Sequence, residues 1–129
     1  MHVPWKAGTA VDTGPVLVSL TSYTADRHVD LPGIYRAALG LRRAWPQMDG
    51  AVGLLLWSQP AARRAGSVSV WRSTEDLMGF VRWAPHLEVM RRYRERGSLV
   101  SESWHSEGRD PSQLWREAKL RLARPGSAG

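Results

Sequence analysis

The chain of 129 residues contains no cysteine and only two lysines. Without cysteine it forms no disulfide and has neither a thiolate nucleophile nor a cysteine ligand for zinc or an iron–sulfur cluster. This absence fits a reducing cytoplasm. The first residues lack the basic and apolar segments of a signal peptide, so we expect none. The longest apolar run, residues 54–57, is too short to span a bilayer. We therefore expect a soluble, cytoplasmic protein without a membrane span.

Because only Lys6 and Lys119 are lysines, arginine carries almost all of the positive charge, and the formal net charge is +6. A basic chain can bind nucleic acid, an anionic substrate or an acidic partner. Along the predicted helices, however, the arginines alternate with Glu88, Glu95 and Glu117. This pattern is typical of solvated helix faces. We predict no nucleic-acid partner.

The spacing of apolar residues predicts one domain that alternates strands and helices. Strands are predicted at residues 16–22, 51–58, 67–71 and 99–104, and helices at residues 34–45, 74–84, 86–96 and 111–124. Because Pro85 lacks an N–H group and restricts the residue before it, we expect a kink near Ala84. Residues 1–15 are predicted to form an extended N-terminal arm, residues 16–124 the domain, and residues 125–129 a disordered tail.

The resulting order is βαββαβ with a C-terminal helix, which predicts an α+β, ferredoxin-like fold: a four-stranded antiparallel sheet with both helices on one face. The strand at residues 51–58 is apolar on both sides, with Leu54 and Leu56 on one and Leu55 and Trp57 on the other. Such a strand argues against a solvated second sheet face. Two sheets packed face to face would cover it, so we predict a homodimer, a dimeric α+β barrel. The alternative is a monomer whose C-terminal helix covers the sheet.

The segment from residue 67 to residue 123 resembles a known group of proteins. The sequence SVWRS at residues 69–73, followed by Leu77, Phe80 and the Ala-Pro-His at residues 84–86, resembles the pattern of spheroidene-monooxygenase-like dimeric α+β barrel proteins. The Ser-Glu-Ser at residues 101–103 is similar to one that follows the same helix in carotenoid oxygenases. The Glu-Ala-Lys at residues 117–119 resembles the tail of a neighbouring family of unknown function with the same barrel.

The resemblance implies membership of the superfamily that also includes antibiotic-biosynthesis-monooxygenase-like proteins. It implies a cavity between sheet and helices that holds a hydrophobic small molecule, such as a polyene or polycyclic metabolite. Some members bind heme through a histidine on the second helix, and others oxidise aromatic polyketides without a cofactor. We therefore expect a monooxygenase-like enzyme of secondary metabolism, with heme as its cofactor or with none. The heme-ligand role carries over to His86.

His86 is the leading candidate for chemistry, because a neutral imidazole can ligate heme iron or act as a general acid or base. Its alternative role is that of a surface or capping histidine. Glu102 is the second catalytic candidate and a predicted partner for His86, with a solvated carboxylate as the alternative. Trp83 and Trp104 are expected to pack a heme. The predicted substrate-binding residues are Tyr23, Trp57, Trp83, Met90, Arg92 and Trp104.

The sequence is also compatible with two other functions. One is a cofactor-free cyclase or isomerase of secondary metabolism. The other is a non-catalytic binding domain that docks an acidic partner on its arginine-rich second helix. A filled interior with His86 directed to solvent would favour the binding domain, and a cavity that His86 reaches would favour an enzyme.

Overall fold

The computed structural model describes residues 2–7, 15–107 and 110–122. The strands are β1 (His2–Ala7), β2 (Val16–Ala25), β3 (Ala51–Gln59), β4 (Arg64–Trp71) and β5 (Gly97–Ser106). The helices are α1 (Leu31–Arg43), α2 (Thr74–Val81), α3 (Ala84–Tyr93) and α4 (Pro111–Leu122). Within these ranges, no helix combines the length and the apolar character needed to cross a bilayer. The tail predicted at residues 125–129 lies outside the described residues.

The five strands form one antiparallel sheet in the order β1-β3-β4-β2-β5. Strands β2 to β5 with α1, α2 and α3 give the ferredoxin-like arrangement, which confirms the predicted α+β fold. Residues 2–7, part of the predicted arm, add a fifth strand because they pair with the edge of β3. This strand was not predicted from the sequence.

The first helical layer packs on one face of the sheet through aromatic residues. Trp45 and Trp71 are both fully buried, and their ring centroids lie 4.7 Å apart in an edge-to-face contact. Phe80 of α2 contacts both rings, at 5.7 Å from Trp45 and 5.4 Å from Trp71. Such aromatic contacts add to the free energy gained by burying apolar area. They fix the end of α2 over the sheet.

The predicted break near Ala84 is confirmed. The Ser73 hydroxyl caps α2 by accepting a hydrogen bond from the Asp76 N–H at 3.2 Å, and the helix ends at Val81. Trp83 is extended, with φ −64° and ψ 133°, and Pro85 occupies the first turn of α3. Proline is well tolerated there because the N–H groups of a first turn have no partner within the helix. The break places His86 in the first turn of α3.

The opposite face of the sheet is covered by α4. Leu114 and Ala118 are fully buried, with 0% exposure each, and Leu122 is buried beside them. They pack on apolar side chains of three strands: Val16, Val18, Leu20, Leu55, Trp57, Val68 and Val70. This arrangement matches the alternative to the barrel, in which the C-terminal helix covers the sheet. In the single chain, α4 therefore occupies the face on which the predicted barrel would pack two sheets together.

Candidate active site

A cavity of about 550 Å³ lies between the sheet and helices α1 and α3. A second space of about 340 Å³ adjoins it over the middle of the sheet. Residues that line both include Ala38, Leu41, Leu56, His86 and Met90. Ligand pockets for small molecules usually measure about 300–1,000 Å³ and are mostly apolar. The helical side of this sheet therefore offers a ligand-sized cavity that His86 reaches.

The hydrogen bonding of His86 fixes the tautomer of its ring. Its Nδ1 lies 3.1 Å from the carbonyl oxygen of Val81, at the end of α2. A carbonyl oxygen only accepts hydrogen bonds, so Nδ1 carries the proton and Nε2 keeps a lone pair. The ring also packs against Phe80, with centroids 4.7 Å apart. The broken helix thus holds the imidazole in one orientation.

Burial lowers the pKa of His86 below its ordinary value of 6.5, and the hydrogen bond to Val81 only partly opposes this effect. The desolvation of a charged imidazole is the cause, because the half-buried ring sits among apolar side chains. At neutral pH the ring is therefore uncharged. Its Nε2 can accept a proton from a bound molecule or donate its lone pair to a metal.

Two of the predicted substrate-binding residues lie at the cavity. Met90 lines both spaces, and the ring of Tyr23 lines the larger one. The Tyr23 hydroxyl, however, donates to the backbone oxygen of Tyr93 at 2.7 Å. Burial raises the pKa of Tyr23, and the nearby carboxylates of Asp30 and Asp26 raise it further. Tyr23 therefore lines the larger cavity as a neutral side chain, and its hydroxyl already donates its proton to the Tyr93 backbone oxygen.

The structure places Trp57, Glu102 and Trp104 on the other face of the sheet, away from His86. Trp57 is 1% exposed within the core under α4. The indole N–H of Trp104 donates to Glu117 at 2.9 Å. Glu102 borders the smaller space, but its carboxylate accepts a hydrogen bond from Arg121 Nε at 3.0 Å. Side chains alternate along a strand, so these residues share the α4 face, and the predicted pairing of His86 with Glu102 is not formed.

Trp83 and Arg92 also lie outside the main cavity. Trp83 borders a separate hollow of about 290 Å³ and contacts Phe80 at 6.0 Å between ring centroids. Arg92 is exposed and lies 3.8 Å from Glu88, one helical turn earlier. Arg91 and Arg94 line the cavity instead. Helical spacing would have indicated these two arginines, because they follow the lining residue Leu87 at i+4 and i+7 and so share its side of the helix.

The predicted heme site does not come together. The lone pair on His86 Nε2 is of a type that binds heme iron. Trp83 and Trp104, which were expected to pack the macrocycle, lie in a separate hollow and on the opposite sheet face. The sheet wall of the smaller space is rich in hydroxyl groups, which an apolar macrocycle would leave without partners. Across the described ranges, no group of three or more histidine and acidic side chains is placed to hold a metal ion.

The hydroxyl groups that form the sheet wall of the smaller space were not identified from the sequence. They are Ser19 and Thr21 of β2, Ser67 and Ser69 of β4, and Ser101 and Ser103 of β5. Each strand contributes two hydroxyl residues separated by one other residue, so both point to the same face. A repeated Ser-x-Ser or Ser-x-Thr pattern in three predicted strands is the signal that would have indicated them.

Neither protein-family models nor curated protein sequences match the chain. Solved structures do match it. A protein of Nitrosomonas europaea assigned as an antibiotic biosynthesis monooxygenase superposes with a TM-score of 0.63 at 10% identity, covering 79% of this chain and 98% of that one. SnoaB, a cofactor-independent oxygenase from Streptomyces nogalater, gives 0.56 at 12% identity, with 74% and 97% covered.

A third solved structure is longer than this chain. A Lactobacillus acidophilus protein assigned as a monooxygenase gives a TM-score of 0.60 at 10% identity over 72% of this chain, which spans 48% of that protein. At such identities the likeness concerns the fold. The chain shares the fold of these solved structures, which is the fold that the resemblance implied.

Proposed function

We propose that the protein is a cofactor-independent oxygenase-type enzyme that acts on a hydrophobic small molecule in the cavity under α1 and α3. The observation that carries this proposal is His86, a neutral imidazole with an unprotonated Nε2 at a cavity of about 550 Å³. The likeness in fold to SnoaB, a cofactor-independent oxygenase, supports it. His86 is the proposed general base.

The proposed chemistry requires no metal ligand from the chain. A ring methylene next to a carbonyl group is acidic, and Nε2 of His86 removes one of its protons. The electron-rich anion then reduces dioxygen. With anthrone as the model substrate, the methylene carbon loses both hydrogens and becomes a carbonyl. One oxygen atom enters the product, anthraquinone, and the other leaves as water, so no external reductant is consumed.

A cyclase or isomerase would use the same base without dioxygen, and a binding domain would use no base. The cavity beside His86 favours an enzyme over a binding domain, since a bound partner on α3 requires no internal space. Oxygen consumption separates the oxygenase from a cyclase or isomerase.

The experiment incubates the purified chain with anthrone in air and measures both oxygen uptake and anthraquinone formation. We expect His86→Ala to lower the rate by about 10²- to 10⁴-fold, the usual contribution of a general base. His105→Ala is the matched control, because this imidazole is exposed and lies outside the cavity. Equal rates for the wild type and His86→Ala would contradict the proposal. An absorption spectrum recorded with added hemin should show no heme-bound state.

We also propose a cytoplasmic location and a homodimer. Because α4 covers the outer sheet face, a dimer would form either through another surface or by exchange of α4 between two copies. Light scattering of the purified chain measures its mass. A monomer at working concentration would contradict the homodimer but not the oxygenase.

A further inference from the structure

The hydroxyl side chains under His86 form a regular array. Strand pairing aligns Ser69, Ser19 and Ser103 in one row across β4, β2 and β5. It aligns Ser67, Thr21 and Ser101 in the next row. Neighbouring strands lie about 4.8 Å apart and the two rows about 6.7 Å apart. We call these six residues the hydroxyl floor, and all six line the smaller space.

The fold makes little use of these hydroxyls. Among the described residues, two contacts within hydrogen-bonding distance involve them, and both are long. Thr21 Oγ1 lies 3.4 Å from Ser101 Oγ, and Ser69 Oγ donates to the Ser19 backbone oxygen at 3.5 Å. Serine also favours strands less than β-branched residues do. Ser19 and Ser69 are buried, whereas Ser101 and Ser103 on the edge strand are exposed. A hydroxyl group both donates and accepts hydrogen bonds, so these groups remain available to a bound molecule.

The wall opposite the hydroxyl floor is apolar. It is formed by Leu77, Phe80 and Val81 around the helix break, with Met90 of α3 and Leu41 of α1. The smaller space therefore has a sheet side where hydroxyl groups lie among Leu54, Leu56 and Leu99, and a helical side that is apolar apart from His86. Glu102 at its border is paired with Arg121. A neutral ligand with an oxygen-bearing edge and an apolar body matches this division.

We propose that the hydroxyl floor is the specificity-determining subsite of the cavity, and that it binds a neutral ligand through several hydroxyl or carbonyl oxygens along one edge. The inference rests on the proposed function in taking this cavity as the substrate site. Such a subsite selects against the polyene that the family resemblance implied as a ligand. A hydrocarbon chain would cover the hydroxyls without pairing them, at a cost for each buried group.

Two probes with the same three fused rings test the proposal: quinizarin, which carries hydroxyl and carbonyl oxygens, and anthracene, which carries none. Quenching of tryptophan fluorescence in the full chain gives the affinity for each. We expect the wild type to bind quinizarin more tightly than anthracene. Ser67→Ala and Ser101→Ala should each weaken quinizarin binding about fivefold, the usual effect of one neutral hydrogen bond, and leave anthracene binding within about twofold.

Ser98→Ala is the matched control, because Ser98 is an exposed serine of β5 outside both spaces. It should change neither affinity. Ser101 lies on the edge strand and is exposed, so Ser101→Ala should fold even if Ser67→Ala does not. Circular dichroism of each variant verifies the fold.

Three results would overturn the proposal. They are no detectable binding of quinizarin, equal binding of both probes by the wild type, and unchanged quinizarin affinity in Ser101→Ala. The anthrone assay is separate. If anthrone is not oxidised but the serine variants lose quinizarin selectively, the oxygenase proposal fails and the subsite stands. If anthrone oxidation depends on His86 while the serine variants bind quinizarin normally, only the subsite fails.

Discussion

Replacing His86 by alanine should destabilise the fold by an amount that depends on pH. The change removes the hydrogen bond from Nδ1 to the Val81 oxygen, worth about 0.5–1.5 kcal/mol. It also removes the ring contact with Phe80, worth about 0.5–1.5 kcal/mol. At pH 8 we therefore expect a loss of about 1–3 kcal/mol in the free energy of unfolding. For a domain of this size, that corresponds to a fall in Tm of about 4–12 °C.

The sign of the pH dependence follows from the lowered pKa of His86. Its ordinary value is 6.5, and burial lowers the pKa in the folded chain. Between the folded and the unfolded pKa, the unfolded chain binds more protons, so stability falls as the pH decreases below about 6.5. A single site changes the free energy of unfolding by at most about 1.4 kcal/mol per pH unit, and less here because the ring is half-exposed. His86→Ala lacks this loss.

The advantage of the wild type over His86→Ala should therefore shrink between pH 7.5 and pH 5, a window chosen around the ordinary histidine pKa of about 6.5. Urea unfolding followed by tryptophan fluorescence measures both proteins at each pH. The remaining histidines occur in both proteins, so the difference between the two isolates the effect of His86. A difference that stays constant or grows on acidification would refute the reasoning, because it would mean that the folded chain does not disfavour the charged imidazole.

Three further predictions concern stability. Leu114→Ala should lower the free energy of unfolding by about 3 kcal/mol, since this side chain of α4 is fully buried against the sheet. Leu120→Ala on the same helix should change it little, because Leu120 is 71% exposed. Chemical unfolding of both variants measures the difference. Gly40→Ala within α1 meets no atom within 4 Å and should stabilise the chain by about 0.5–1 kcal/mol, measured as a higher Tm. Tyr23→Phe removes the hydrogen bond to Tyr93 and should cost about 1–2 kcal/mol in urea unfolding.

Much of the fold could be predicted because its signals are local. The capping serine at residue 73 and the proline at residue 85 determine where α2 begins and where the helix breaks, whatever the rest of the chain does. The apolar residues on both sides of β3 indicated that both sheet faces are covered. They could not indicate which element covers the second face, since a second copy of the chain and α4 would both satisfy the same pattern. The structure shows α4 in that place.

The candidate site was only partly predictable, because it depends on which sheet face each side chain takes. The helix break identified His86 from the sequence alone. Alternation along β5 puts Glu102 and Trp104 on the same side of the strand, but the sequence does not tell which layer that side meets. The structure places both beside α4, where they contact Arg121. The hydroxyl floor was missed because its residues come together only through the strand order and the register of the sheet.

The middle of the central strands serves stability on one face and ligand binding on the other. On the α4 face, β2 and β4 present buried apolar residues, Val18, Leu20, Val68 and Val70, which supply hydrophobic free energy. On the other face, the ends of these strands are buried as well, Leu17 and Trp71 at one end and Tyr23 and Ala25 at the other. Only their middle presents serine and threonine, which line the smaller space. Because α4 provides the burial that these strands need, the face below His86 can stay polar and open. Alanine at positions of the hydroxyl floor should therefore change ligand binding far more than it changes the free energy of unfolding.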